Sequence, residues 1–284
     1  MIDLDQMAYS IWDPTGNVTA LVECPVPVDE QPACASALMR RHPEVEQVGF
    51  LCVDPAGLEP GVDAALRMAG GEFCGNASIS AAACYLERTG QGGRIVSLRV
   101  SGATLPVKTR LERVGEASFE AAILMPPAHA PQSVNLAYEG TRTPLALVRM
   151  DGISHLVIEA ASPFWHLLND RAAAERAVRL WCEELDCAGL GLMFLGEPGP
   201  DDTRPMSPLV YVPAADTCFW ESSCASGSAA SGIYLADRLG KPMVAKLDEP
   251  GGVLRIECDP TARTTWLHGA TRQIVVHPSI DHNL

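Results

Sequence analysis

The chain repeats itself at a distance of about half its length, and only a fold built from two like halves accommodates that. Gly70-Gly71-Glu72-Phe73-Cys74-Gly75-Asn76-Ala77-Ser78 and Trp220-Glu221-Ser222-Ser223-Cys224-Ala225-Ser226-Gly227-Ser228 each place a cysteine ahead of small residues and an apolar run of helical length. The first run, Ala77 to Leu86, ends near Gly90, and the second, Ala229 to Leu239, ends at Gly240. Laying Cys74 on Cys224, an offset of 224 − 74 = 150, also lays Ser78 on Ser228, Arg88 on Arg238 and Gly90 on Gly240. The echo continues past the helices. Val96 to Val100, Ser101-Gly102 and Leu105 to Leu111 are answered by Val244 to Leu247, Glu249-Pro250-Gly251-Gly252 and Val253 to Ile256. The pattern predicts an α/β (α+β) chain of two pseudo-symmetric domains, each a curved sheet around one central helix that begins at a cysteine.

Other segments fill in that plan. Asp13-Pro14-Thr15-Gly16-Asn17 is a turn signature ahead of the β-rich Val18 to Val22, so it predicts a hairpin whose turn presents Asn17. Asp29 to Arg41 reads as a helix and Glu46 to Val53 as a strand, where Glu46 reads locally as a solvated edge charge. Leu145 to Met150 and His155 to Glu159 read as a hairpin about Asp151-Gly152. A lone histidine on such a strand reads first as structural. Asn169 to Leu185 reads as a surface helix, Leu209 to Pro213 as a strand, and Thr271 to His277 as a last strand. Pro126-Pro127-Ala128-His129-Ala130-Pro131 is the boundary candidate. The expected division is residues 1–126, joined by a C-terminal strand at about 272–284, and residues 127–271.

Composition narrows the function. The net charge of −14 argues against a nucleic-acid or anionic-membrane surface, which would need a basic patch. No apolar run is long enough to span a bilayer. The acidic start, Met1-Ile2-Asp3-Leu4-Asp5, lacks the basic n-region of a signal peptide, so a cytoplasmic location is expected. The ten cysteines include no CxxC pair, and Cys182, Cys187 and His166 lack the tight spacing of zinc ligands, so no metal is expected.

A helix start carries free backbone N–H groups and a partial positive charge. It stabilises a thiolate and cradles an anion. The small residues Gly75-Asn76 and Ala225-Ser226 let a carboxylate approach the backbone. Two such starts facing one ligand would place a sulfur on either side of the carbon next to that carboxylate. One sulfur would remove a proton and the other would return one to the opposite face, which inverts a stereocentre without a cofactor. The alternative is that both cysteines are small core residues, as free cysteines usually are.

These motifs resemble the diaminopimelate epimerase superfamily of cofactor-independent amino acid racemases. Its hallmarks, Cys-Gly-Asn and Cys-Gly-(Ser/Thr)-Gly, stand here as Cys74-Gly75-Asn76 and Cys224-Ala225-Ser226-Gly227, with Ala225 for the usual glycine. One branch is more similar than the rest, the histidine racemases of staphylopine-type metallophore biosynthesis. The strings that carry this likeness are Pro14-Thr15-Gly16-Asn17, Glu46 to Leu51, Glu72-Phe73-Cys74-Gly75-Asn76, Val100-Ser101-Gly102, Trp220-Glu221-Ser222-Ser223-Cys224 and Pro250-Gly251-Gly252. The resemblance implies an isomerase that interconverts L- and D-histidine with no cofactor, Cys74 and Cys224 serving as the acid/base pair. It implies substrate contacts from Asn17, Glu46, Glu72, Gly75, Asn76, His155, Glu221, Ser222, Ala225 and Ser226. Diaminopimelate epimerases carry a Glu-Arg pair before the second cysteine; here Asp216 to Glu221 has no arginine, and Trp220 with Glu221 suits an imidazole better than a second carboxylate. Diaminopimelate epimerase itself, a racemase of another amino acid and a non-catalytic amino-acid-binding protein remain as alternatives. The expected partner is a small amino acid, and the sequence leaves a homodimer open.

Overall fold

The computed structural model describes residues 3–90 and 95–277. They divide into two compact units. One comprises the chain up to Ile123 together with the segment from Gly269 onward, and the other is Leu124–His268. Residues 278–284 of the expected C-terminal strand lie outside the described residues.

The first unit is a closed ring of eight strands around a helix. Its elements are β1 (Tyr9–Asp13), β2 (Thr19–Val22), α1 (Gln31–Arg41), β3 (Gln47–Cys52), β4 (Ala64–Met68), α2 (Gly75–Thr89), β5 (Ile95–Val100), β6 (Val107–Gly115) and β7 (Ser118–Leu124). The strands neighbour one another in chain order. The last strand of the chain, β16 (Thr264–His277), then joins β7 and closes the ring by pairing antiparallel with β1, from Tyr9 opposite His277 to Asp13 opposite Arg272. A ring of eight strands leaves an interior wide enough only for side chains or one slender element. The sequence of α2 answers this: every residue from Gly75 to Leu86 is buried, and most are Gly, Ala or Ser. A helix buried on all faces shows little amphipathic pattern, and small residues let its backbone approach the surrounding strands. Gly90, at φ 62°, ends it in the left-handed region that glycine occupies without strain.

The second unit repeats the scheme with β8 (Gln132–Tyr138), β9 (Thr141–Met150), β10 (Ile153–Glu159), α3 (Arg171–Glu184), β11 (Leu190–Leu195), β12 (Thr203–Val212), β13 (Thr217–Trp220), α4 (Ala225–Leu239), β14 (Met243–Glu249), β15 (Gly252–Asp259) and the start of β16. Its strand path is β8-β9-β10-β11-β12-β14-β15-β16, with β13 added on β12. Strands β10 and β11 are parallel and buried almost throughout, with both faces covered. Leu156, Ile158, Leu192 and Phe194 pack with Val178 and Trp181 of α3 in one core. By the period-two alternation of a strand, His155, Gly191 and Met193 lie on the opposite face, toward α4. Helix α4 is again small and buried from Ala225 to Gly232, and Gly240 at φ 63° ends it. Among the described residues no helix is long and apolar enough to cross a membrane.

Candidate active site

Each cysteine is the N-cap of its unit's central helix. Cys74 has extended backbone, φ −133° and ψ 116°, and its sulfur accepts the N–H of Ala77 at 3.4 Å. Cys224 has φ −126° and ψ 98°. In both helices the cap carbonyl takes the first intrahelical bond, from Ser78 N–H at 3.0 Å and from Ser228 N–H at 2.8 Å. The sulfurs therefore sit where orphan backbone donors and the positive end of the helix converge.

Parallel pairing of β2 with β3 builds the surroundings of Cys74. The register sets Thr19 beside Gln47, and Glu46 N–H donates to Val18 O at 2.9 Å. Asn17 and Glu46 are thus brought side by side, and the Asn17 amide donates to Glu46 Oε2 at 2.7 Å. Asn17 is 1% exposed, and its Oδ1 accepts from Gln47 and from Asn76. Gln47 also donates to Thr19 Oγ1 at 2.8 Å and accepts the Cys74 thiol on its own Oε1 at 3.0 Å. Asn17, Glu46 and Asn76 therefore meet at Cys74 through one hydrogen-bonded network, and Gln47, not singled out in the sequence, is its centre. The reading of Glu46 as a solvated edge charge is corrected: it is half-buried and bonded to Asn17. Glu72 lies two residues before Cys74 with one carboxylate oxygen buried and unpartnered, and burial pushes its pKa up.

Around Cys224 the groups are more deeply buried. Cys224 is 4% exposed, and burial, then Glu221 and Glu249, push its thiol pKa well above the usual value. Its sulfur stands 3.7 Å from Ser226 Oγ. Ser222 O accepts from Gly251 N–H at 2.7 Å, which ties the loop before the cysteine to the β14–β15 turn. His155 is fully buried, neither ring nitrogen has a hydrogen-bond partner, and burial pulls its pKa down to about 3. It is therefore a neutral imidazole. A Cβ on Gly191 would fall 2.3 Å from His155 Nδ1, and one on Gly227 would fall 2.1 Å from Met193 Sδ and 3.1 Å from Cys224 Sγ. Two glycines thus let the histidine, the methionine and the helix start pack together, and Ala225 and Ser226 complete the first turn, both buried. Trp220 departs from the expectation that it serves an imidazole. It stacks on Phe194 at 5.6 Å under the Arg171 guanidinium, in the core shared with α3, on the sheet face opposite α4.

The fold is shared with solved structures. The structure is similar to a probable proline racemase from Agrobacterium radiobacter, with TM-score 0.66, 14% identity, and 94% of this chain and 90% of that one covered. It is similar to a hydroxyproline epimerase from Agrobacterium vitis at TM-score 0.64, 14% identity and coverage of 98% and 93%. A phenazine biosynthesis protein of the PhzF family from Bacillus anthracis shares the fold at TM-score 0.63, 11% identity and coverage of 95% and 97%.

Sequence then sets the family. The model described as histidine racemase CntK N-terminal domain matches residues 6–277, and the chain belongs to that family. A histidine racemase of Fusobacterium nucleatum is 29% identical over 251 residues, 85% of this chain and 86% of the relative. One from Staphylococcus aureus (strain Mu50) is 28% identical over 233 residues, 80% of this chain and 78% of the relative. The protein is an isomerase, an amino acid racemase.

Proposed function

We propose that the enzyme interconverts L- and D-histidine without a cofactor, Cys74 and Cys224 acting as acid and base on opposite faces of the α-carbon. One observation carries the proposal: each cysteine caps the one buried helix of its unit, at matched positions of a duplicated chain. The backbone N–H groups at residues 75–76 and 225–226 hold the α-carboxylate and stabilise the charge that develops as the α-proton leaves. A thiolate takes that proton while the other sulfur, as thiol, gives one to the opposite face. Asn17, Glu46, Asn76, Glu221 and Ser222 are assigned to the amino group and side chain. Histidine is favoured by Glu72 and Glu221, acceptors suited to an imidazole N–H, and by the absence of arginine between Asp216 and Glu221. A distal carboxylate there would be buried beside acids at high cost. His155, neutral and with both nitrogens unpartnered, is assigned to orienting the ligand beside Cys224. The resemblance to the metallophore branch supports a place for the D-histidine in metallophore biosynthesis.

Circular dichroism over the proteinogenic amino acids and meso-diaminopimelate tests the assignment. Histidine is expected to racemise and diaminopimelate to be turned over poorly or not at all; the reverse would refute the substrate. Cys74→Ser and Cys224→Ser should each abolish nearly all racemisation, the double variant being little worse than either. In heavy water the product should gain α-deuterium before the substrate pool does. Near wild-type racemisation by either serine variant would overturn the two-base chemistry.

A further inference from the structure

The outer face of the first unit is only partly roofed. Strands β3 and β4 pair so that Phe50 lies opposite Arg67 and Cys52 opposite Ala65. Opposite residues of an antiparallel pair share a face, and the buried Leu66 and Met68 point the other way, into the ring. Helix α1 covers Val48 and Phe50 through Cys34, Ala35 and Leu38, but its core takes in no residue of β4. Beyond it a groove of about 640 Å³ opens over Ala65 and Arg67, lined also by Val26 and by Gln31 at the start of α1. Small-molecule sites typically measure ~300–1,000 Å³. The lining is mostly apolar, and its charges are committed except one. Glu23 is held by Arg88 and Ser10, Asp54 by the Ala56 N–H at 2.9 Å, and Arg99 by Glu59. The Arg67 guanidinium makes no hydrogen bond or ion pair among the described residues, and its Nε is buried. Glu72 acts on it only through space. One neutral acceptor is orphaned as well. Gln31 is 5% exposed; its Nε2 donates to Val26 O at 3.2 Å, and its Oε1 has no partner. Buried polar atoms without partners are rare, because each carries its full desolvation penalty.

We propose that this groove binds a small monocarboxylate whose apolar body carries one neutral hydrogen-bond donor. The carboxylate pairs with Arg67, the apolar body covers Phe50, Ala65 and Val26, and the donor meets Gln31 Oε1. Charge sets the class. One uncommitted cation matches one negative charge, and Glu23 and Asp54 in the same lining make a phosphate or a dicarboxylate costly. An uncharged apolar molecule would leave both Arg67 and Gln31 without partners. The site is separate from the cysteine chemistry. Ala65 and Arg67 lie on the outside of the ring, whereas Cys74 caps the helix inside it. The proposal therefore stands whichever amino acid the enzyme racemises and whichever residues serve as its bases.

Isothermal titration calorimetry on the full-length enzyme tests it, in excess histidine so that the catalytic site is filled. The probes are phenylacetate, meta- and para-hydroxyphenylacetate, and the uncharged tyrosol. One hydroxyphenylacetate should bind per chain, about tenfold or more tighter than tyrosol and several-fold tighter than phenylacetate. Arg67→Gln should weaken every carboxylate probe by about tenfold. Gln31→Leu should erase the advantage of the hydroxyl without removing phenylacetate binding. Ala65→Trp fills the groove and leaves both polar groups in place. It should abolish binding while Tm and racemisation stay at parental values, and it decides the matter if Gln31→Leu fails to fold. The absence of saturable binding by any carboxylate probe would overturn the proposal. So would displacement of the probe by histidine, or unchanged binding in Ala65→Trp.

Discussion

Gly102 is expected to be the costliest alanine substitution outside the helices. It sits in the turn after β5 at φ 73°, where any residue with a Cβ is strained by about 1–3 kcal/mol. Its α-carbon also faces backbone: a Cβ would lie 2.4 Å from Phe73 N and 2.8 Å from the Glu72 carbonyl carbon. Ordinary contact begins near 3.4 Å, so one segment must retreat by 3.4 − 2.4 = 1.0 Å. Neither segment is free to do so. Ser101 Oγ is pinned by Met68 N–H at 2.9 Å and by Glu72 O, and the Phe73 side chain is fully buried. Such overpacking costs about 1–3 kcal/mol more. Gly102→Ala should therefore lose about 2–6 kcal/mol and lower Tm by roughly 5–15 °C. Because Phe73 precedes Cys74, a shift of this size should also misplace the sulfur, and kcat should fall about a hundredfold. Thermal melting and racemisation by circular dichroism check both numbers. A variant with parental Tm and kcat would show that the turn does not position Cys74. Normal kcat with lowered Tm would confine its role to stability.

Two further outcomes follow from groups buried at Cys224. Burial raises the folded pKa of Glu249 to about 8 from the 4.5 of an ordinary glutamate, so the stability tied to its neutral form is full below pH 4.5 and is lost as pH rises toward 8. Glu249→Gln should flatten that decline in chemical denaturation across pH; an equally steep decline in the variant would contradict it. His155 runs the other way, its folded pKa being about 3 against 6.5, so its contribution is full above pH 6.5 and lost as pH falls toward 3. Gly191→Ala would drive a methyl to 2.3 Å from His155 Nδ1 and 2.7 Å from Met193 Cε, and should cost about 1–3 kcal/mol with loss of turnover. Unchanged melting and kinetics would mean that the histidine relocates freely.

How far the sequence carries depends on what each residue's signal is made of. The two helix starts are legible because small residues, a stop glycine and a cysteine recur at one offset, and an interior helix of a small barrel has little choice of side chain. The hairpin at Asn17 is legible because a turn has its own chemistry. Gln47 is silent: an amide at the start of a strand has no local signature, and only the parallel register of β2 with β3 shows what it bridges. Glu249 misleads, since an acid before Pro-Gly-Gly reads as a solvated turn while its real partners are a backbone N–H 25 residues away and a buried serine. Trp220 misleads through adjacency. It is near Cys224 in sequence, but it lies on β13 beside Leu209 and packs into the α3 core. The uniformly apolar Leu190 to Leu195 has no alternation to announce β11, because helices cover both its faces.

The asymmetry between the halves bears on what kinetics can reveal. L and D forms of one amino acid have equal free energy in water, so the equilibrium constant of racemisation is one. The ratio kcat/KM must then be the same for both enantiomers, whatever Glu249 does to Cys224. No difference between the two helix starts can make the enzyme prefer a direction. Such a difference can only change which protonation form of the free enzyme predominates. On the two-base reading, one enantiomer meets the predominant form, and the other must draw on the rarer one. For that second enantiomer the apparent KM is raised by the scarcity of the competent form, and kcat is raised with it because their ratio is fixed; each tenfold bias between the forms corresponds to about 1.4 kcal/mol. Equal kcat/KM for the two enantiomers would therefore hide any such bias, and separate kcat and KM values with per-cysteine titration would expose it.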